Sequence, residues 1–107
     1  MVSFSEDRLK QLFENFQGKH VAVVGDVMVD RYYWGKVFRV SPEAPVPVVE
    51  VESESVRLGG AANVANNIQA LGGKPLLVGL VGDDYAGKML AEVLKDQNLD
   101  TGGIVVD

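Results

Sequence analysis

The clearest chemical feature of this sequence is a pair of glycines followed by an amide. Gly59-Gly60-Ala61-Ala62-Asn63-Val64-Ala65 opens an apolar-periodic stretch, and Gly72 and Gly82 follow it. Glycines at a helix start let a ligand approach the backbone, where free N–H groups and the positive end of the helix dipole face it. Asn63 and Asn67 are four apart and share one helix face, opposite a stripe of Val64, Ile68 and Leu71. A side-chain amide donates to one hydroxyl and accepts from another, which suits a sugar. The same residues also fit a plainer arrangement, a tight turn at Gly59-Gly60 with Asn63 as a cap.

A second glycine-bearing stretch invites a different reading. Gly82-Asp83-Asp84-Tyr85-Ala86-Gly87-Lys88-Met89 follows a strand pattern, opens a helix pattern and nearly spells a phosphate-binding loop. Met89 replaces the Ser or Thr that holds Mg²⁺ in such a loop. Asp83 and Asp84 would repel phosphate where backbone N–H groups should attract it. A capped helix start explains the stretch. Residues 21–30 lack the G-x-G-x-x-G of a dinucleotide site.

Elements that could position these residues follow from periodicity. Leu9, Leu12, Phe13 and Phe16 make one helix face, with Ser5 as cap or Ser3 and Glu6 as a capping box, and Gly18 as terminator. His20-Val21-Ala22-Val23-Val24 is apolar on both faces, the mark of a central parallel strand, and Gly25 stops it, with Asp26 either marking the strand end, the favoured reading, or binding substrate. Residues 31–58 read as an extended ribbon outside the main sheet, because Pro42, Pro45 and Pro47 exclude both a helix and a central strand. The helical pattern resumes at Gly59, with Val64, Ile68 and Leu71 inward and Gly72-Gly73 as its end. A buried strand over residues 75–81 comes next. Asp83 or Asp84 caps a helix through Gln97, with Leu90, Val93, Leu94 and Gln97 inward and Asn98 in the left-handed position after it. Residues 104–106 form a last strand. Alternation of this kind implies a parallel sheet with right-handed crossovers. A final parallel strand with nothing behind it leads us to expect a chain that is cut short.

Composition narrows the function classes. The 107 residues carry 10 Lys and Arg against 15 Asp and Glu, a net charge of −5 without a basic cluster, which argues against nucleic acid or an anionic membrane as partner. There is no Cys and one His, so thiolate sites, His-rich metal sites and a Ser-His-Asp triad are excluded within the chain. No leader or membrane-length apolar run occurs, and a cytoplasmic location is expected.

The spacing of Gly59, Gly60, Ala61, Asn63, Ala65, Gly72 and Gly82 resembles the first signature of the ribokinase-like (pfkB) carbohydrate kinases at each fixed position. Two further stretches, residues 24–32 (VGDVMVDRY) and 39–48 (RVSPEAPVPV), resemble the heptose kinases of lipopolysaccharide precursor synthesis within that family. The resemblance covers the chain from about Gly18 onward. It implies a three-layer α/β/α fold with a parallel sheet and a protruding β-lid over residues 31–58. It implies ATP-dependent phosphorylation, with Mg²⁺, of the anomeric hydroxyl of D-glycero-β-D-manno-heptose 7-phosphate, by a kinase domain that many bacteria fuse to an adenylyltransferase. Residues 1–107 would be the N-terminal portion of that kinase domain.

Carried residue by residue, the resemblance assigns Asp30 to sugar hydroxyls, with a loop cap as its plain alternative. Gly59, Gly60 and Asn63 match the sugar-binding glycines and asparagine. Arg39 becomes a candidate for the 7-phosphate, because a guanidinium fork suits phosphate, or else a solvated lid charge. Tyr32, Tyr33 and Trp34 would stack on the sugar or pack lid against lid, and a homodimer through the lid is implied. The second family signature, Gly-Ala-Gly-Asp with the catalytic base, does not occur here. This chain would therefore recognise sugar without base or nucleotide pocket. Two rivals remain: another pfkB kinase such as a ribokinase or fructokinase, against which the Ser-Pro-Glu-Ala-Pro stretch weighs, and a non-catalytic sugar-binding or dimerisation module.

Overall fold

A small parallel sheet and a long antiparallel ribbon divide the molecule. The computed structural model describes all residues 1–107. In chain order they form α1 (Glu6–Phe16), β1 (His20–Val24), β2 (Val27–Val40), β3 (Pro47–Gly60), α2 (Ala61–Ala70), β4 (Lys74–Val81), α3 (Tyr85–Asp96) and β5 (Ile104–Val106). The sheet has the order β1-β4-β5, with His20 opposite Lys74 and Gly79 opposite Ile104, both pairings parallel. Strands β2 and β3 pair antiparallel over their whole length, from Val27 opposite Gly60 to Val40 opposite Pro47. The prolines fall in the connecting turn and at the first residue of β3, where a missing N–H is tolerated. The ribbon thus contains all of residues 31–58 and extends beyond them at its base.

The ribbon sets the shape. The radius of gyration is 19.0 Å and the longest extent 59 Å, whereas a compact chain of this length has a radius near 13 Å. Accessible surface is 7986 Å², against roughly 5,800 Å² for a compact protein of this mass. No helix is long and apolar enough to cross a membrane.

One buried cluster joins the parts: Leu58 at the ribbon base, Ala62 and Ala65 of α2, Leu77 of β4, and Leu90, Leu94 and Leu99 in and after α3. The inward side of α2 differs from the expected stripe. Val64 and Leu71 are exposed, and the alanines face the sheet, because only small side chains let α2 sit close to β4 and β1. The place of β1 also differs: it is an edge strand, and β4 is central. Its apolar second face, with Val24 75% exposed, continues into Leu76, Leu80 and Val105, which are also exposed. Within these residues the buried cluster lies on the Leu77 face alone.

Local signals behave as their chemistry requires. Ser5 caps α1 by accepting from the Arg8 N–H at 3.2 Å. Asn98 has φ +57°, and the Asn98 and Leu99 N–H groups return to the Lys95 and Leu94 carbonyls, the paired bonds that close a helix end. Gly72 (φ +95°) and Gly73 close α2 in the same way onto Gln69 and Ile68.

Candidate functional site

The junction of β1, the ribbon and α2 brings the chemistry together. Strand β1 stops at Val24, and the Gly25 N–H donates to the Val78 carbonyl at 3.2 Å. The next residue, Asp26, accepts from the Ala61 N–H at 2.7 Å, so the first turn of α2 is tied to the start of β2. Gly60 makes this tie possible. Its φ is +57°, and a Cβ there would run into the Asp26 carbonyl. Gly59 and Gly60 belong to the end of β3, and the helix begins at Ala61, two residues later than the sequence pattern suggested. No side chain caps α2, unlike α1 and α3, and its first turn carries no acidic residue. Asn63 is therefore not a cap.

Beside this junction lies a cleft of about 310 Å³, within the range of small-ligand sites. Asp30, Tyr32 and Arg57 reach it from the ribbon, Asn63 and Asn66 from α2, and Gln97 from the end of α3. Leu58 and Val93 supply apolar wall. Asp30 is exposed, makes no ion pair, and engages in no side-chain hydrogen bond. It stands within β2 opposite Arg57, so it is neither a loop residue nor a cap. Its carboxylate lies over Gly59, where an added Cβ would be 2.8 Å from Asp30 Oδ2. The Asn63 and Asn66 amides are likewise free of bonds within the chain, whose amide side-chain bonds come from Gln17 and Gln69. A carboxylate acceptor facing amides that donate and accept can hold a polyhydroxylated ligand in one orientation.

The candidate residues from the sequence divide accordingly. Asp30 and Asn63 both line the cleft; Gly59 and Gly60 do not, Gly59 lying against the Asp30 carboxylate and Gly60 against the Asp26 carbonyl at the junction. Arg39 does not join them within one chain. It lies near the ribbon turn with Phe38, Val48 and Glu50, nine strand residues from Asp30, about 30 Å at ~3.3 Å per residue. Asn67 is not part of the cleft; Asn66, at i+3 from Asn63, takes the place expected of it. Arg57 was not singled out by the sequence, because its role depends on cross-strand register. On the ribbon's other face, Arg31 bonds Glu54 at 2.6 Å, and this hydrogen bond and charge raise the Arg31 pKa. Exposed pairs of this kind contribute little to stability.

The Gly82–Met89 stretch does not fit a nucleotide. The Asp84 carboxylate caps α3 by accepting from the Gly87 N–H at 2.8 Å, occupying a donor that a phosphate would need. No group of three His, Cys, Asp or Glu side chains is gathered for a metal ion.

The profile described as pfkB family carbohydrate kinase matches residues 18–107. The bifunctional protein HldE of Helicobacter pylori (strain G27) is 57% identical over 89 residues, 83% of this chain and 19% of that protein. The protein of the same name from Caulobacter sp. (strain K31) is 52% identical over 101 residues, 94% of this chain and 21% of that protein. The chain thus spans about a fifth of the length of these relatives. Among solved structures, a protein assigned as a ribokinase from Agrobacterium tumefaciens superposes with a TM-score of 0.63 at 28% identity, covering 83% of this chain and 28% of that one. A fructokinase from Halothermothrix orenii gives 0.55 at 29% identity, covering 83% and 29%.

Proposed function

We propose, from the premise that the chain belongs to the pfkB family of carbohydrate kinases, that it is the sugar-recognising portion of an ATP-dependent heptose kinase. The substrate of this reading is D-glycero-β-D-manno-heptose 7-phosphate, phosphorylated at its anomeric hydroxyl toward ADP-heptose and lipopolysaccharide core. One observation carries it: Asp30 and Asn63, from separate stretches of sequence, line one cleft, with Gly59 beneath the carboxylate. The heptose rests on the motif resemblance and is supported by the 52–57% identity to the HldE proteins.

In this reading Asp30 accepts two sugar hydroxyls, Asn63 and Asn66 fix the ring's orientation, and Tyr32 covers one side. Holding a hydroxyl in one orientation is itself catalytic, since positioning removes much of the entropic barrier. No residue of this chain is assigned as the base. ATP and Mg²⁺ are implied by family membership and supply the transferred phosphoryl group. The ribbon serves as a lid over the sugar and, through its exposed aromatic and valine side chains, as a surface for a second copy of the chain. The location is cytoplasmic, where the nucleotide is found.

The test is a substrate panel with the full-length protein. Sugar-dependent ADP release is measured with heptose 7-phosphate, ribose and fructose under Mg-ATP. The reading expects a kcat/KM for heptose 7-phosphate at least 100-fold (about 2.8 kcal/mol) above the others. Preference for ribose or fructose would assign a different sugar to the same fold. No turnover with any sugar would favour a non-catalytic module.

A further inference from the structure

We infer that Arg57 is the residue that recognises the phosphate group of the sugar substrate and sets the preference for a phosphorylated over an unphosphorylated sugar. This deepens the sugar-kinase reading and rests on it. Of the ten Lys and Arg residues, Arg57 alone lines the cleft. It stands directly across the ribbon from Asp30, yet forms no ion pair with it. Its guanidinium instead lies 5.3 Å from the centre of the Tyr32 ring. A cation–aromatic contact steadies the group without consuming its N–H fork in a carboxylate pair.

The other arginines of the ribbon are placed differently. Arg31 points to the opposite ribbon face, as alternation along a strand requires, and is engaged by Glu54. Arg39 is about 30 Å along the strand from Asp30. A phosphomonoester entering a cleft that already holds the Asp30 carboxylate meets like charge unless a cation stands beside it. Arg57 is that cation, and its fork matches two phosphate oxygens at once. Asp30 then selects hydroxyls and Arg57 selects the anion, from opposed positions of one strand pair.

Steady-state kinetics of the full-length protein with heptose 7-phosphate and with heptose lacking the phosphate test the inference. Arg57→Met is expected to raise KM for the phosphorylated sugar about 10- to 100-fold and to change that for the unphosphorylated sugar less than about threefold, with Arg57→Lys recovering part of the loss. The unphosphorylated sugar serves as the folding control. An unchanged preference in Arg57→Met, or transfer of the effect to Arg39→Met, overturns the inference and leaves the kinase reading intact. Equal loss on both sugars, not relieved by Arg57→Lys, also overturns it and marks a structural role. Absence of wild-type turnover on both sugars overturns the heptose reading itself and this inference with it.

Discussion

The Asp30 carboxylate occupies space that a side chain at Gly59 would take: a Cβ there would stand 2.8 Å from Asp30 Oδ2 and 2.8 Å from Met28 Cγ. Both neighbours are on β2, and Met28 is the register partner of Gly59. The glycine is required by the Asp30 and Met28 side chains and not by its own backbone angles. Gly59→Ala should therefore displace Asp30, lowering kcat/KM for the sugar about tenfold. It should also destabilise the fold by about 1–3 kcal/mol, as overpacking does. Urea unfolding and sugar kinetics on one preparation check both effects. Unchanged sugar kinetics would show that Asp30 can move without consequence.

The start of α3 is structural. Asp84 accepts from the Gly87 N–H, so Asp84→Ala should cost about 0.5–2 kcal/mol as a lost N-cap. Lys88→Met should leave KM for ATP within about twofold, because this helix start has no free donor set for phosphate. Denaturant titration and ATP kinetics read the two outcomes. A large rise in KM for ATP in Lys88→Met would restore the phosphate-loop reading.

The ribbon exposes Trp34, Val37 and Phe38 (57%, 56% and 72%). An uncovered strand pair of this composition invites a second copy. Phe38→Glu should convert a dimer of the full-length protein to monomer in light scattering. A variant that stays dimeric would place the interface elsewhere.

Much of this was legible in the sequence, for reasons visible residue by residue. Caps and terminators act locally, so Ser5, Asp84, Asn98 and the Gly72-Gly73 pair could be read from their neighbours. The ribbon announced itself through its prolines. Burial is set by partners instead. The valine and leucine stripe on α2 suggested an inward face, yet Ala62 and Ala65 face the sheet, because close approach to β4 favours small side chains over apolar ones. Strand β1 has a central strand's composition and an edge strand's place. Asp30 and Asn63 were found through motifs. Arg57 became visible only with the register that sets it opposite Asp30, and Arg39 left the cleft once the strand length was known.

The central claim is that Asp30 and Asn63 hold the sugar and not the nucleotide, and kinetics with each substrate varied in turn tests it most directly. A hydrogen bond to a charged group contributes roughly 1.5–3 kcal/mol. At about 1.4 kcal/mol per factor of ten, Asp30→Ala in the full-length protein should lower kcat/KM for heptose 7-phosphate about 10- to 100-fold. Asn63→Ala should cost less, and KM for ATP should move little in either. Unchanged sugar kinetics in Asp30→Ala, or damage confined to ATP binding, would contradict the account.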